Sequence, residues 1–171
     1  AKQQVLDQLA SILWWAKRRS QEPGVIPAPP PLRHILLVGP PGTGKTTILR
    51  SIGAALGRRA EIVSCGGFSD VIALTGFERG YVGARPGAIL DAVRNARTRT
   101  LLLGLDEIDK MTANYRGDPF AVLMELTDPA QNARFVDRYL QFPFDISRAP
   151  IVTTANHPNP IPMAFRDRSH I

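Results

Sequence analysis

Residues Gly39 to Thr46 read GPPGTGKT, a spacing of glycines, lysine and hydroxyl suited to gripping a chain of phosphates. Gly42 and Gly44 allow the backbone to curl until successive N–H groups face one anion, and the start of a helix adds to the attraction. Lys45 places a positive charge where the β- and γ-phosphates would lie, and Thr46 offers its hydroxyl to Mg²⁺. The expected contact run is Gly39, Pro40, Pro41, Gly42, Thr43, Gly44, Lys45, Thr46 and Thr47, with ATP and Mg²⁺ as ligands. A purely structural turn uses glycine and proline, but it has no need of Lys-Thr where a helix begins.

About sixty residues further on, the apolar run TLLLGL ends in Asp106-Glu107, leaving room for two strands of a parallel sheet. An acidic cap at a strand end is the plainer alternative. Beside a phosphate loop, Asp106 suits Mg²⁺ binding through water, and Glu107 suits general-base attack by water. Two acids in tandem indicate hydrolysis rather than nucleotide binding alone.

The elements that must position these groups alternate. His34 to Val38 (HILLV) is a continuous apolar run, as expected of a strand buried on both faces. Lys45 to Leu56 follows as a helix with Ile48, Leu49, Ile52 and Ala55 inward, and Gly57 ends it. Ala60 to Ser64 is a second strand. Pro86 opens a helix through Ala96 with Ile89, Leu90 and Val93 on one face. Thr100 to Leu105 is a third strand, Asp118 to Leu126 a helix, and Pro150 to Thr154 a fourth strand. The alternation predicts an α/β P-loop fold, a doubly wound parallel sheet covered by helices on both sides. Ahead of this core (residues 34–171) lie an N-terminal helix in residues 1–22 and a proline-rich connector in residues 23–33. Val5, Leu9, Ile12 and Ala16 form the helix's apolar stripe, while Trp14 and Trp15 point away from its centre. Partial cover by neighbouring chain and contact with another subunit both account for those tryptophans.

The bulk properties fit a globular protein: 171 residues, 44% hydrophobic and 21% charged, which suffices for one domain with its own core. The net charge of +6 invites nucleic acid as a partner. The basic residues, however, are dispersed among acidic ones, so a solvated surface is preferred. The single Cys65 points to a reducing, cytoplasmic setting. No apolar run approaches the ~20 residues of a membrane-spanning helix. The chain begins at Ala1, and a segment of a longer protein is expected.

GPPGTGKT together with LLLGLDEID resembles the AAA+ ATPases. The stretch DEIDKMTANYRGDPFAVLMELTDPAQN, Asp106 to Asn132, is similar to the ATPase module of Lon proteases. So is CGGFSDVIALTGFERGYVGARP, Cys65 to Pro86, while the helix and connector before Ile35 match less closely. The resemblance implies a hexameric ring that threads unfolded or misfolded proteins through a central pore for ATP-dependent proteolysis. Within it, Gly80-Tyr81-Val82-Gly83 matches a pore loop whose Tyr81 and Val82 grip extended polypeptide, and Tyr115 falls at a second such loop. Asn156 matches a sensor that hydrogen-bonds the γ-phosphate and the attacking water. In Asp167-Arg168 the arginine matches a finger reaching the neighbouring subunit's ATP, with Arg166 as its rival.

The resemblance also implies a fifth strand starting where the chain stops at Ile171, then a helical lid and a Ser-Lys protease domain. No nucleophile set for peptide cleavage is present; Ser64, Ser69 and His157 read as turn and surface residues. Residues lining the adenine ahead of the first helix are likewise expected to lie outside the chain. Two rival functions stay open: a remodelling ATPase without a protease, and a DNA-associated motor or clamp loader.

Overall fold

The computed structural model describes residues 34–115 and 117–171, together with Asp7, Ala10, Ser11 and Trp14. Those four are helical and exposed. The rest of the expected N-terminal helix, Trp15 and the proline-rich connector lie outside the described residues.

Strand β1 (Ile35–Val38) feeds the glycine-rich loop, which opens helix α1 (Lys45–Ala55). There follow β2 (Ala60–Ser64), α2 (Val71–Thr75), α3 (Ala88–Ala96) and β3 (Leu102–Asp106). A 3₁₀ turn at Ile108–Lys110, α4 (Pro119–Thr127) and a second 3₁₀ turn at Asn132–Arg134 come next. The short strands β4 (Phe135–Val136) and β5 (Pro143–Phe144) pair antiparallel. Strand β6 (Ile151–Ala155) and α5 (Met163–Asp167) complete the order.

The four long strands form one parallel sheet in the order β1-β6-β3-β2. Alternation along each strand divides the core in two, because successive side chains point to opposite faces. Ile35, Leu102 and Val152 pack with Leu49 and Ile52 of α1 on one face. Leu36, Leu103, Leu105 and Ile151 pack on the other against Leu74, Ile89, Leu123 and Phe165. That two-sided burial explains why the strands read as unbroken apolar runs. Beyond α5 the chain returns to the free edge of β1. Leu36 N–H donates to His170 O at 2.8 Å, and His170 N–H donates to His34 O at 3.0 Å. This parallel bridge between Ile35 and His170 sits where a fifth strand is expected.

The expected inward face of α1 requires correction. Leu49 and Ile52 are buried, but Ile48 is 47% exposed and Ala55 is exposed; Gly53 is the third buried position. A Cβ on Gly53 would stand 2.9 Å from Ala60 Cβ and 3.2 Å from Arg58 O. The helix therefore lies against the sheet on its bare glycine, which rotates Ile48 and Ala55 outward. Gly57 closes the helix in the left-handed region at φ 63°, as expected. Helix α3 begins at Ala88 rather than Pro86, and β3 at Leu102 rather than Thr100. Asp118 caps α4 by accepting from Phe120 N–H at 2.9 Å, with Pro119 in the first turn. Among the described residues no helix is long and apolar enough to cross a membrane.

His34, at the entry to β1, is 4% exposed, packs with its ring tilted at 44° and 4.6 Å from that of Phe165, and lies 2.5 Å from Ser169 Oγ. Burial, with nearby His170 adding repulsion, lowers its pKa to about 4 from an ordinary 6.5. The unfolded chain thus binds a proton that the folded chain refuses until the lower value is reached. Stability is complete above pH 6.5 and falls as the pH drops toward about 4. Two to three pH units of such linkage amount to about 3 kcal/mol. Chemical denaturation at pH 7 and pH 4.5 is expected to show this loss, and His34→Gln to remove most of the difference.

Candidate functional site

The phosphate loop runs from the end of β1 to the start of α1. Gly42 and Gly44 both take φ 80°, where a side chain would be strained, yet nothing lies within 4 Å of the Cβ either would carry. Conformation, not crowding, demands glycine at both positions. Gly44 is also the N-cap of α1 and supplies no side-chain acceptor, so the first-turn N–H groups are not capped by it and suit an anion. Lys45 curls back over the loop. Its ammonium donates to Gly39 O at 2.6 Å, Pro40 O at 2.9 Å and Asn156 Oδ1 at 2.9 Å.

The acids stand at the carboxyl end of β3, beside this loop. Thr46 Oγ1 donates to Asp106 Oδ2 at 2.9 Å, uniting the two expected Mg²⁺ ligands across sixty residues of sequence. Two oxygens so placed suit an ion that takes most of its ligands from phosphate and water. Among the described residues no group of three or more His, Cys, Asp or Glu is placed to hold a metal ion by itself, and an ion bound mainly by phosphate and water does not require one. Glu107 adopts φ 61° and ψ 43°, a left-handed turn that carries its side chain off the strand axis. Lys110 Nζ meets Glu107 Oε1 at 2.5 Å within the following 3₁₀ turn. A Cβ on Gly66 would collide with Glu107 Oε2, so glycine there leaves the carboxylate its space. Burial, then the Asp106 charge, pushes the adjacent Cys65 thiol up to about 12 and keeps it protonated.

Lys45, Thr46, Asp106 and Asn156 are thus linked by hydrogen bonds, with Glu107 next in sequence to Asp106. The expected finger and pore-loop residues sit on other segments. Arg168 is 51% exposed and faces Asp128 Oδ2 at 3.8 Å. Arg166 is half-buried, and its Nε has no hydrogen-bond partner among the described residues. Tyr81 is 62% exposed and Val82 fully so, on a loop whose ends are joined by Phe77 N–H donating to Arg85 O at 2.8 Å. Gly80 and Gly83 hold the tip in left-handed backbone at φ 103° and 88°. The base of this loop is fixed by Asp137. It is fully buried and accepts from Gly87 N–H at 2.8 Å, Tyr139 N–H at 2.9 Å and Leu140 N–H at 3.0 Å. Tyr115 is exposed on a turn closed by the Asn114–Gly117 bridge.

Sequence reasoning missed Thr154, Lys110, Gly66 and Ile48. Thr154 Oγ1 donates to Asp106 Oδ1 and accepts from Glu107 N–H at 3.1 Å. Its signal was present: a threonine in a wholly buried strand needs a partner for its hydroxyl. Ile48, turned outward, lines an open cavity of about 510 Å³ with Thr43, Gly44, Thr47, Ser51 and Ala55, alongside the phosphate loop.

The family model for the ATPase family associated with various cellular activities (AAA) matches residues 35–171. The chain is 48% identical over 137 residues to a Lon protease of Clostridioides difficile, covering 80% of this chain and 17% of that protein. It is 49% identical over 134 residues to Lon protease 2 of Thermus thermophilus, covering 78% and 17%. To a Lon protease of Desulfovibrio desulfuricans it is 40% identical over 169 residues, covering 99% and 18%. The chain therefore spans less than a fifth of the length of these relatives.

Proposed function

This chain belongs to the AAA family of ATPases, and on that footing we propose that it hydrolyses MgATP in a cytoplasmic ring of six like subunits to unfold and move proteins for ATP-dependent proteolysis. The observation that carries the reading is a pair of hydrogen bonds joining the start of α1 to the ends of β6 and β3. Lys45 is tied to Asn156, and Thr46 to Asp106, where the glycine loop opens the helix.

Lys45 and the loop N–H groups hold the β- and γ-phosphates. Thr46 and Asp106 would hold Mg²⁺, which when bound neutralises phosphate charge. Glu107 accepts the proton of the attacking water, and Asn156 orients that water against the γ-phosphate. The cavity beside Ile48 offers apolar surface to the nucleoside. Arg168 serves the adjoining subunit's site. The relatives named Lon protease support coupling to proteolysis, and the exposed Tyr81-Val82 tip supports a sequence-tolerant grip on polypeptide.

Tyr81→Ala in the intact protein tests the pulling step. It is expected to slow unfolding of a folded protein substrate about tenfold, as loss of an aromatic anchor does, while ATP turnover persists. Unchanged unfolding would remove the grip from this loop. ATP turnover stimulated by DNA, with DNA binding that falls steeply with salt, would instead favour a nucleic-acid motor, which the +6 charge would suit.

A further inference from the structure

Thr154 is fully buried in β6, an inner strand with β1 and β3 on either side. It shares the α1 face of the sheet with Val152, where apolar packing alone would be served as well by valine. Its hydroxyl is nevertheless used twice. The proton goes to Asp106 Oδ1, and a lone pair receives Glu107 N–H at 3.1 Å. Asp106 is thereby held between two hydroxyls, Thr154 on Oδ1 and Thr46 on Oδ2. Glu107 is a non-glycine residue at φ 61°, and its only neighbour-strand tie is this bond from its own N–H to Thr154 among the hydrogen bonds described. The preceding Thr153 spends its hydroxyl on Ile35 O at 3.3 Å, a contact within the sheet that touches neither acid.

We infer that Thr154 is a positioning residue for ATP hydrolysis, its hydroxyl setting the rotation of the Asp106 carboxylate and the left-handed turn that aims Glu107. The inference rests on the reading of Asp106 as the Mg²⁺-binding acid and Glu107 as the base. One hydroxyl serves both acids because donation and acceptance are separate capacities of the same oxygen. Thr154 also lies two residues before Asn156, which follows directly on the end of the same strand, so the segment that carries Asn156 also anchors both acids. Without the hydroxyl, Asp106 Oδ1 loses a donor and Glu107 N–H loses its acceptor, and both acids gain freedom at the moment they must be aligned.

The test uses the intact protein with Thr154→Val, which keeps shape and removes the hydroxyl, and Thr154→Ser, which keeps the hydroxyl. Valine is expected to lower kcat for ATP by about tenfold to a hundredfold, the range for loss of a group orienting a metal ligand. It should also raise the Mg²⁺ concentration needed for equilibrium binding of a fluorescent ATP analogue, read without turnover, while moving the KM for MgATP far less. Serine should restore most of the rate. Wild-type kcat and Mg²⁺ dependence in the valine variant would overturn the inference, as would a serine variant as slow as valine. If valine does not fold, Thr154→Ala against Thr154→Ser makes the same comparison of hydroxyl absent and present. Glu107→Gln is measured alongside: normal turnover there sinks the underlying reading of the site, whereas an inactive Glu107→Gln with an unaffected Thr154→Val sinks this inference alone.

Discussion

Glu107→Gln in the intact protein is expected to bind ATP with near-normal affinity and to lose turnover by a factor of about a hundred or more. The substitution keeps the size of the side chain and the hydrogen-bonding oxygen facing Lys110, which meets Oε1 at 2.5 Å. It also leaves the backbone N–H bond to Thr154 untouched. What it removes is the ability to take a proton, because an amide is not basic near neutral pH. The binding groups are separate: Lys45 contacts Gly39 O, Pro40 O and Asn156, and Thr46 contacts Asp106. Lys45→Ala should therefore give the opposite result, loss of nucleotide binding itself, since the charge and the tie across the loop go together. Equilibrium binding of a fluorescent ATP analogue and phosphate release measured on both variants separate the two outcomes. A Glu107→Gln protein that released phosphate at the normal rate would show that water is activated by some other group.

The parts of this site that were legible in the sequence are those whose chemistry is local. The loop declares itself because Gly42 and Gly44 must both reach φ 80° and Lys-Thr must follow at once. Asp106-Glu107 is marked by the end of an apolar strand, and the match of strand ends to observed ends is close for β2, Ala60–Ser64. The face of α1 was not legible, because periodicity cannot tell that a glycine will make the closest approach. Gly53 is buried for lack of a side chain, whereas hydrophobic pattern alone ranks Ile48 and Ala55 above it. Helix α2 and the β4–β5 pair escaped for a related reason. They are short, and their placement depends on partners far away in sequence, such as Asp137 accepting from Gly87 N–H fifty residues earlier. Thr154 and Lys110 were missed because their roles exist only through contact with Asp106 and Glu107, and Thr154 reaches both across neighbouring strands.

Arg168→Ala is expected to reduce kcat by about a thousandfold with little change in ATP affinity, the effect of losing an arginine that stabilises transition-state charge. The geometry within one subunit favours a role outside it. Arg168 is half-exposed, and its ion pair with Asp128 spans 3.8 Å; such exposed pairs are weak and readily exchanged for a stronger anion. Arg166 is the poorer candidate, being half-buried with its Nε turned inside. Arg166→Ala should accordingly cost stability more than rate, which thermal unfolding beside steady-state turnover will separate. A mixing experiment addresses action in trans. Rings of Arg168→Ala subunits alone and of Lys45→Ala subunits alone should both be nearly inactive. In mixed rings, an Arg168→Ala subunit keeps an intact phosphate loop and receives Arg168 from a Lys45→Ala neighbour, so part of the turnover should return. If mixing restored nothing, or if Arg166→Ala showed the larger loss of rate, Arg168 would not be the finger.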